Sequence, residues 1–505
     1  MHHRSFLSTS LCLLMAFSSF AQQKKDLPVF NLTKEVAEAH LRFLASDELM
    51  GRRTGEMGNR VAARYLAEQF RKYGATPVPG QSTFYQTVPL ERIGASGKGE
   101  LVVNNEPLRN NEDWMLIAGD AASLSAPVVY AGYGLEDTAK GWEDYKGVDV
   151  KGKIVLVQSG SPDNQTPAEI IASSNRKRQI AGEKGAVALI ELFTVPIPWN
   201  IVTRNFTRDQ ISLAQGNEGA TRTSLPHVWV NGKEARLTRL LRAANTTAQL
   251  STEGRKSERI VSHNVAAYIQ GSDPKLRDEY IILSAHYDHV GVGKQGGQPY
   301  TAEDSIFNGA RDNAFGCVAL LSSAEALAKN PPKRSVLILA VTGEELGLLG
   351  SRYYASNSLL ALNKCIFNLN SDGAGYNDTS IVSVIGLDRT GAKAEIEAAA
   401  KVFGLDVVAD PSPEQGLFDR SDNVNFAIKG IPSPTFTPGF RKFDQDIMKN
   451  YHQVSDNPET VDFGYLLKFS QAYTYAARLI ADRTTAPQWT AGDKYEEAAK
   501  KLYVK

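Results

Sequence analysis

The run Ser335-Val336-Leu337-Ile338-Leu339-Ala340-Val341, followed at once by Thr342-Gly343-Glu344-Glu345-Leu346-Gly347, decides the fold. Side chains that are apolar almost without a break over so short a stretch mark a strand buried on both faces, as in a parallel sheet. Tyr280-Ile281-Ile282-Leu283-Ser284-Ala285 repeats that texture, and Ile366-Phe367-Asn368-Leu369 supplies a third strand. Between the first two of these in chain order, Phe315 to Lys329 reads as a helix stopped by Pro331-Pro332. The expectation is an α/β domain with a mixed, mostly parallel β-sheet flanked by helices on both faces. Such a sheet binds its ligands beyond the carboxyl ends of its strands.

Upstream of this core, Leu32 to Gly74 reads as helical. Ala62, Leu66, Phe70 and Tyr73 share one helix face, Gly74 suits a C-cap, and Gly51-Arg52-Arg53-Thr54-Gly55 is a glycine-bounded turn. From about Ala121 the texture changes. Pro127-Val128-Val129-Tyr130 and Lys153-Ile154-Val155-Leu156-Val157 are short β-prone runs, and a helix from Asn175 to Lys184 leads into Ala186-Val187-Ala188-Leu189-Ile190. This reads as a compact β-rich module inserted into the α/β domain. The expected division is therefore a leader at 1–21, a first part of the main domain at 22–120, the insert at 121–258 and the main part at 259–505.

The leader is an export signal. His2, His3 and Arg4 precede a mostly apolar stretch from Phe6 to Phe17, and Ser19-Phe20-Ala21 offers small residues to a signal peptidase. The expected product is periplasmic or secreted, without a stable membrane anchor. Lys+Arg and Asp+Glu both number 56, so no basic excess exists to neutralise phosphates and nucleic acid is excluded as an expected partner. Once the leader is removed only Cys317 and Cys365 remain, expected as buried thiols rather than a disulfide framework. Oligomeric state is not legible in the sequence.

Chemistry-bearing residues fall at the strand ends. His286, in Ala285-His286-Tyr287-Asp288-His289, follows the first apolar run, and Asp288 is placed to orient the imidazole of a metal ligand. Asp312, in Asn308-Gly309-Ala310-Arg311-Asp312-Asn313, stands before a helix and can either cap it or bridge two metals. Glu344 and Glu345 are adjacent acids whose repulsion is relieved by pairing or by metal coordination, one binding metal while the other faces an attacking water. Asp372, in Asn370-Ser371-Asp372-Gly373, is a turn residue or a further ligand, and His452, after Tyr451, is a structural histidine or a ligand. Two zinc ions held by such a His/carboxylate set with a shared Asp would bring the pKa of a bound water towards neutrality.

The order H-x-D, D-N before a helix, E-E, N-x-D-x-x-G and Y-H resembles metallopeptidase family twenty-eight, which includes secreted bacterial leucyl aminopeptidases and glutamate carboxypeptidase. Asn308 to Gly316, Glu344 to Ser351, Arg420-Ser421-Asp422 and Gly430-Ile431-Pro432 are similar to further segments of that family. The resemblance implies a zinc exopeptidase fold and a zinc metallo-aminopeptidase that hydrolyses N-terminal residues from peptides. It implies His286, Asp312 and Asp372 on one zinc, Asp312, Glu345 and His452 on the other, Glu344 as general base and Tyr451 as an oxyanion donor. Alternatives within the same fold are a carboxypeptidase or dipeptidase, or a mono-zinc glutaminyl cyclase. Val129 to Gly134, Asp149 to Val155 and Glu183 to Ala186 make the insert similar to a protease-associated domain. Two positions depart from many relatives: Asn423 stands where they have His, and Gly373 where they have Met.

Overall fold

The apolar runs become the middle of a mixed sheet. The structure is a computed structural model describing residues 30–164, 167–214 and 224–504, so the expected leader lies outside the described residues. Two compact units divide the chain: one is the chain up to Pro89 together with the chain from Val261, and the other is Leu90–Ile260.

In the first unit the elements that matter are α1 (Lys34–Leu44), α2 (Met57–Tyr73), β1 (Ser257–Ile269), β2 (Tyr280–His286), α3 (Phe315–Lys329), β3 (Ser335–Val341), α4 (Leu349–Ser356), β4 (Cys365–Ser371), β5 (Ile381–Ile385), β6 (Asp406–Ala409), β7 (Thr435–Pro438) and α5 (Phe463–Ala481). The strands lie in the order β1-β3-β2-β4-β7-β5-β6. β2 runs parallel to β3 and β4, β4 to β7 and β5 to β6, while β1 is antiparallel to β3 and β5 to β7. The mixed, mostly parallel sheet of the sequence reading is what the chain forms.

Side chains alternate between the two faces because the strand period is two. Ile281, Leu283 and Ala285 join Val336, Ile338 and Ala340 against α3 and α5, in a core that includes Phe315, Leu320, Phe469 and Tyr473. Tyr280, Ile282, Leu337 and Leu339 point the other way, towards Tyr354 of α4 and Phe426. Each of the larger apolar side chains so enclosed contributes about 1.5–3 kcal/mol. With both faces covered, only the strand ends are left for chemistry. Gly74 closes α2 in the left-handed conformation, and Ala62, Leu66 and Phe70 are buried, as their spacing implied. Cys317 and Cys365 are buried free thiols. Among the described residues no helix is long and apolar enough to cross a membrane.

The second unit holds an eight-stranded sheet in the order 106–108, 99–103, 247–252, 122–130, 154–158, 188–193, 227–231 and 114–118. Its four central strands, from 122–130 to 227–231, are parallel, and helix Pro167–Glu183 precedes the strand Ala188–Phe193. The unit begins at Leu90 rather than near Ala121. Strand Gly99–Val103 pairs with Thr247–Thr252, and Trp114–Ala118 pairs with His227–Asn231. Such long-range pairing leaves no mark in local composition.

Candidate metal centre

Parallel strands deliver the site. His286 ends β2, Glu344 and Glu345 follow β3, Asp372 follows β4, Asp312 precedes α3, and His452 comes from the segment between β7 and α5. These residues converge on one cleft. His286 Nε2 lies 3.3 Å from Asp312 Oδ1 and 3.1 Å from Asp372 Oδ1. His452 Nε2 lies 3.1 Å from Asp312 Oδ2 and 3.0 Å from Glu345 Oε2. The two oxygens of Asp312 thus serve two separate triads, one on each side.

The donor set can be tested for a metal. An N–H points at one acceptor, yet each histidine nitrogen meets two carboxylate oxygens at similar distances. A cation at the centre of each triad would satisfy all three atoms. Ligands placed about 2.0–2.2 Å from a tetrahedral zinc stand about 3.3–3.6 Å apart, close to the 3.3 Å and 3.1 Å measured around His286. Glu345 Oε1 and both ring nitrogens of His289 are buried without completing a hydrogen bond, and buried polar atoms rarely stay so without an ion or water. The residues fit two divalent metals with nitrogen and oxygen ligands.

Asp312 is no helix cap. Helix α3 begins without a side-chain cap on Ala314, and Asn313 Oδ1 instead accepts from Gly316 N at 3.0 Å. Asp456 fixes the Asp312 loop: its carboxylate accepts from Arg311 N and, at 3.2 Å, from Asp312 N. Arg52, in the turn between α1 and α2, is fully buried and donates to Tyr287 O (2.8 Å), Asn308 O (2.6 Å) and Gly309 O (2.9 Å), tying the His286 loop to the Asp312 loop. Ser421 Oγ donates to Asp372 Oδ2 at 2.5 Å. No role was read for Arg52, Asp456 or Ser421 in the sequence, because each acts across a long stretch of chain.

Asp288 behaves differently from the expectation. Its carboxylate is 3.8 Å from His286 Nδ1, which instead meets the Asp288 carbonyl oxygen at 3.2 Å. The carboxylate accepts from Thr54 Oγ1 (3.0 Å) and Glu344 N (3.2 Å), so it holds the Glu344 loop. Burial pushes Asp288 up to about 6. Burial also raises Glu344 well above the usual carboxylate range, and the neighbouring charges of Asp372 and Glu345 add to the effect.

Glu344, Arg420 and Tyr451 line the cleft, and Ile385, Leu417, Phe440, Phe443 and Ile447 give it an apolar wall. Tyr451 stacks on His452 with ring centroids 4.2 Å apart. His452 holds φ at +52°, a conformation that costs a non-glycine residue on the order of 1–3 kcal/mol and collects at functional sites. Of the two departures, Asn423 is buried away from the cleft, donating to Phe418 O and Ser433 O. A Cβ on Gly373 would stand 2.5 Å from Pro438 Cδ, so this backbone has no room for a larger residue there.

Residues 264–477 match the profile of peptidase family M28. A "probable leucine aminopeptidase 2" of Aspergillus oryzae is 24% identical over 66% of this chain and 64% of its own length. A "Vacuolar membrane protease" of Saccharomyces cerevisiae is 32% identical over 23% of this chain, but the match spans 10% of that protein. The chain therefore covers less than two thirds of either relative. Among solved structures, an aminopeptidase from Aneurinibacillus sp. strain AM-1 shares the fold with a TM-score of 0.55 at 22% identity, over 91% of this chain and 95% of that one.

Proposed function

We propose, from the match of residues 264–477 to the profile of peptidase family M28, that this protein is an exported di-zinc exopeptidase removing N-terminal residues from peptides. The observation that carries the reading is Asp312, whose two oxygens face His286 and His452 in separate triads while Glu344 lines the cleft beside them. His286, Asp312 and Asp372 would hold one zinc, and Asp312, Glu345 and His452 the other. Zinc, when bound, supplies a Lewis acid that polarises the peptide carbonyl and acidifies water.

The chain's own residues do the rest. Glu344, in an environment that raises its proton affinity, takes the proton from the attacking water and passes it to the leaving amine. Asp288 holds the Glu344 loop through the backbone N–H. Tyr451 presents a hydroxyl for the developing oxyanion. The apolar wall of Ile385, Leu417, Phe440, Phe443 and Ile447 suits a large apolar side chain at the substrate's N-terminal residue. Support for a peptidase with aminopeptidase preference also comes from the fungal relative's description. We further read 1–21 as a cleaved export signal and the insert at 121–258 as a protease-associated domain.

The test is to quantify zinc in the purified chain and to compare aminoacyl-p-nitroanilides with N-blocked peptides, with and without chelator. About two zincs and chelator-sensitive cleavage of free-amine leucyl or phenylalanyl substrates are expected. Cleavage of N-blocked peptides alone would move the reading to a carboxypeptidase, for which Arg420 at the cleft offers a carboxylate partner. Turnover of N-terminal glutamine to a cyclic product with one zinc would make it a cyclase. Neither zinc nor activity after reconstitution would sink the proposal.

A further inference from the structure

His289 stands beside Asp312 and Glu345 but has been given no role so far, and its side chain is fully buried with Nδ1 2.8 Å from Glu345 Oε1. That separation is within hydrogen-bond reach, although neither atom completes a hydrogen bond in this geometry, and a small rotation of the ring or the carboxylate would align the pair. The other oxygen of Glu345, Oε2, is the one that meets His452 Nε2 at 3.0 Å. One carboxylate is therefore held between two imidazoles, one on each oxygen. The rings of His289 and His452 stand edge to face with centroids 5.6 Å apart.

The position of His289 is built into the backbone. Gly309, at φ +61°, opens the loop that delivers Asp312, and a Cβ there would lie 2.5 Å from His289 Cγ. No other residue would let the ring in without moving that loop. The Gly309 carbonyl is itself fixed by Arg52. A buried imidazole left without partners is destabilising, so a ring enclosed this tightly needs a partner, and Glu345 is the acceptor it faces.

We propose that His289 is a positioning residue for Glu345 and sets the affinity of the second metal, the one assigned above to Asp312, Glu345 and His452. An N–H from His289 to Oε1 would leave Oε2 as the free donor atom and fix the carboxylate's rotation. Outer partners of metal ligands usually lie behind a histidine, and their loss weakens metal binding by about 10- to 100-fold. Here the order is reversed, with the imidazole behind the carboxylate. The inference rests on the two-zinc reading and is separable from it.

The experiment is a competition titration of zinc against a chromophoric chelator on the full mature chain, comparing wild type with His289→Ala and His289→Gln. His289→Ala should keep the first dissociation constant and raise the second about 10- to 100-fold. His289→Gln, which keeps a donor, should recover part of that loss. Cobalt substitution supplies a second readout: at saturation the visible spectrum of the His289→Ala protein should match wild type, because no ligand has been lost. Equal second-site affinities in all three proteins would overturn the inference and leave the two-zinc reading intact. A saturated cobalt spectrum that differs from wild type would also overturn it, by making His289 a ligand. Parallel weakening of both sites would reduce His289 to a structural residue. A wild type that binds fewer than two zincs would refute the two-zinc reading itself.

Discussion

Each unit of this protein buries carboxylate charge within a polar cluster, and the two clusters are balanced in opposite ways. In the second unit Glu191 is wholly enclosed and accepts from Lys177 Nζ, Ser174 Oγ and Trp229 Nε1, each at 2.8 Å, with His227 Nε2 at 3.1 Å. One negative charge meets a buried ammonium and three further polar groups. In the first unit Asp312, Glu345 and Asp372 meet His286 and His452, Glu344 stands beside them, and Glu345 Oε1 and the His289 nitrogens remain incomplete. A closed set needs nothing from outside and is structural. An open set, short of positive charge, is suited to bind cations.

The sharpest way to break this contrast is to remove the residue that both triads share. Asp312→Ala should abolish binding of both metals and all hydrolysis, while thermal stability measured in chelator stays near that of the chelated wild type. Retention of two tightly bound zincs would show that the triads do not depend on Asp312. Glu344→Gln should follow in size: zinc content unchanged, and turnover lower by about two to four orders of magnitude. A variant with most of its activity left would remove Glu344 from the mechanism.

The closed cluster should respond in stability alone. Glu191→Gln leaves the Lys177 ammonium buried without its counter-charge, a change that costs about 3–5 kcal/mol, with metal content unaltered in the folded protein. The pH dependence sharpens this. Burial opposes ionisation of Glu191, but His227 and Lys177 more than offset it and hold the carboxyl at about 2, below its ordinary 4.5. Its contribution is therefore complete above about pH 4.5 and is lost as pH falls towards 2. Denaturant titrations of wild type should lose stability across that window, and Glu191→Gln should flatten that part of the profile. An unchanged acid limb would mean that the cluster is not an ionised pair.

How much of this could be read in the sequence follows from the same physics. β2, β3, β4 and α3 were legible because strands buried on both faces are written as unbroken apolar runs, and His286, Glu344, Glu345 and Asp372 drew attention because they sit where those runs stop. Ambiguity at Asp312 between cap and ligand was real in one dimension, since the neighbouring Asn313 does the capping. Arg52, Asp456 and His289 were not legible. Arg52 acts on carbonyls of Asn308 and Gly309 far along the chain, and His289 was only one residue of a stretch already claimed by His286. The start of the second unit at Leu90 was missed for a similar reason, because strands 99–103 and 114–118 find their partners beyond residue 226.

The smallest expected effect concerns Ser421, which tunes the open cluster without belonging to it. Its hydroxyl donates to Asp372 Oδ2, leaving Oδ1 to face His286 Nε2 at 3.1 Å. Asn370 Nδ2 in turn donates to Ser421 Oγ at 2.8 Å, so the hydroxyl proton is directed at Asp372. Ser421→Ala removes this support but no ligand, and should weaken the first metal by about tenfold, the lower end of what outer partners contribute. Stability should fall by about 1 kcal/mol for the lost hydrogen bond. Ser421→Thr keeps the donor and should restore most of the affinity. Because His289 acts on Glu345 and Ser421 on Asp372, the two substitutions should weaken different metals, and combining them should give additive losses, as expected for side chains that touch no common residue. Strong non-additivity would mean that Asp312, common to both triads, couples them through its own orientation.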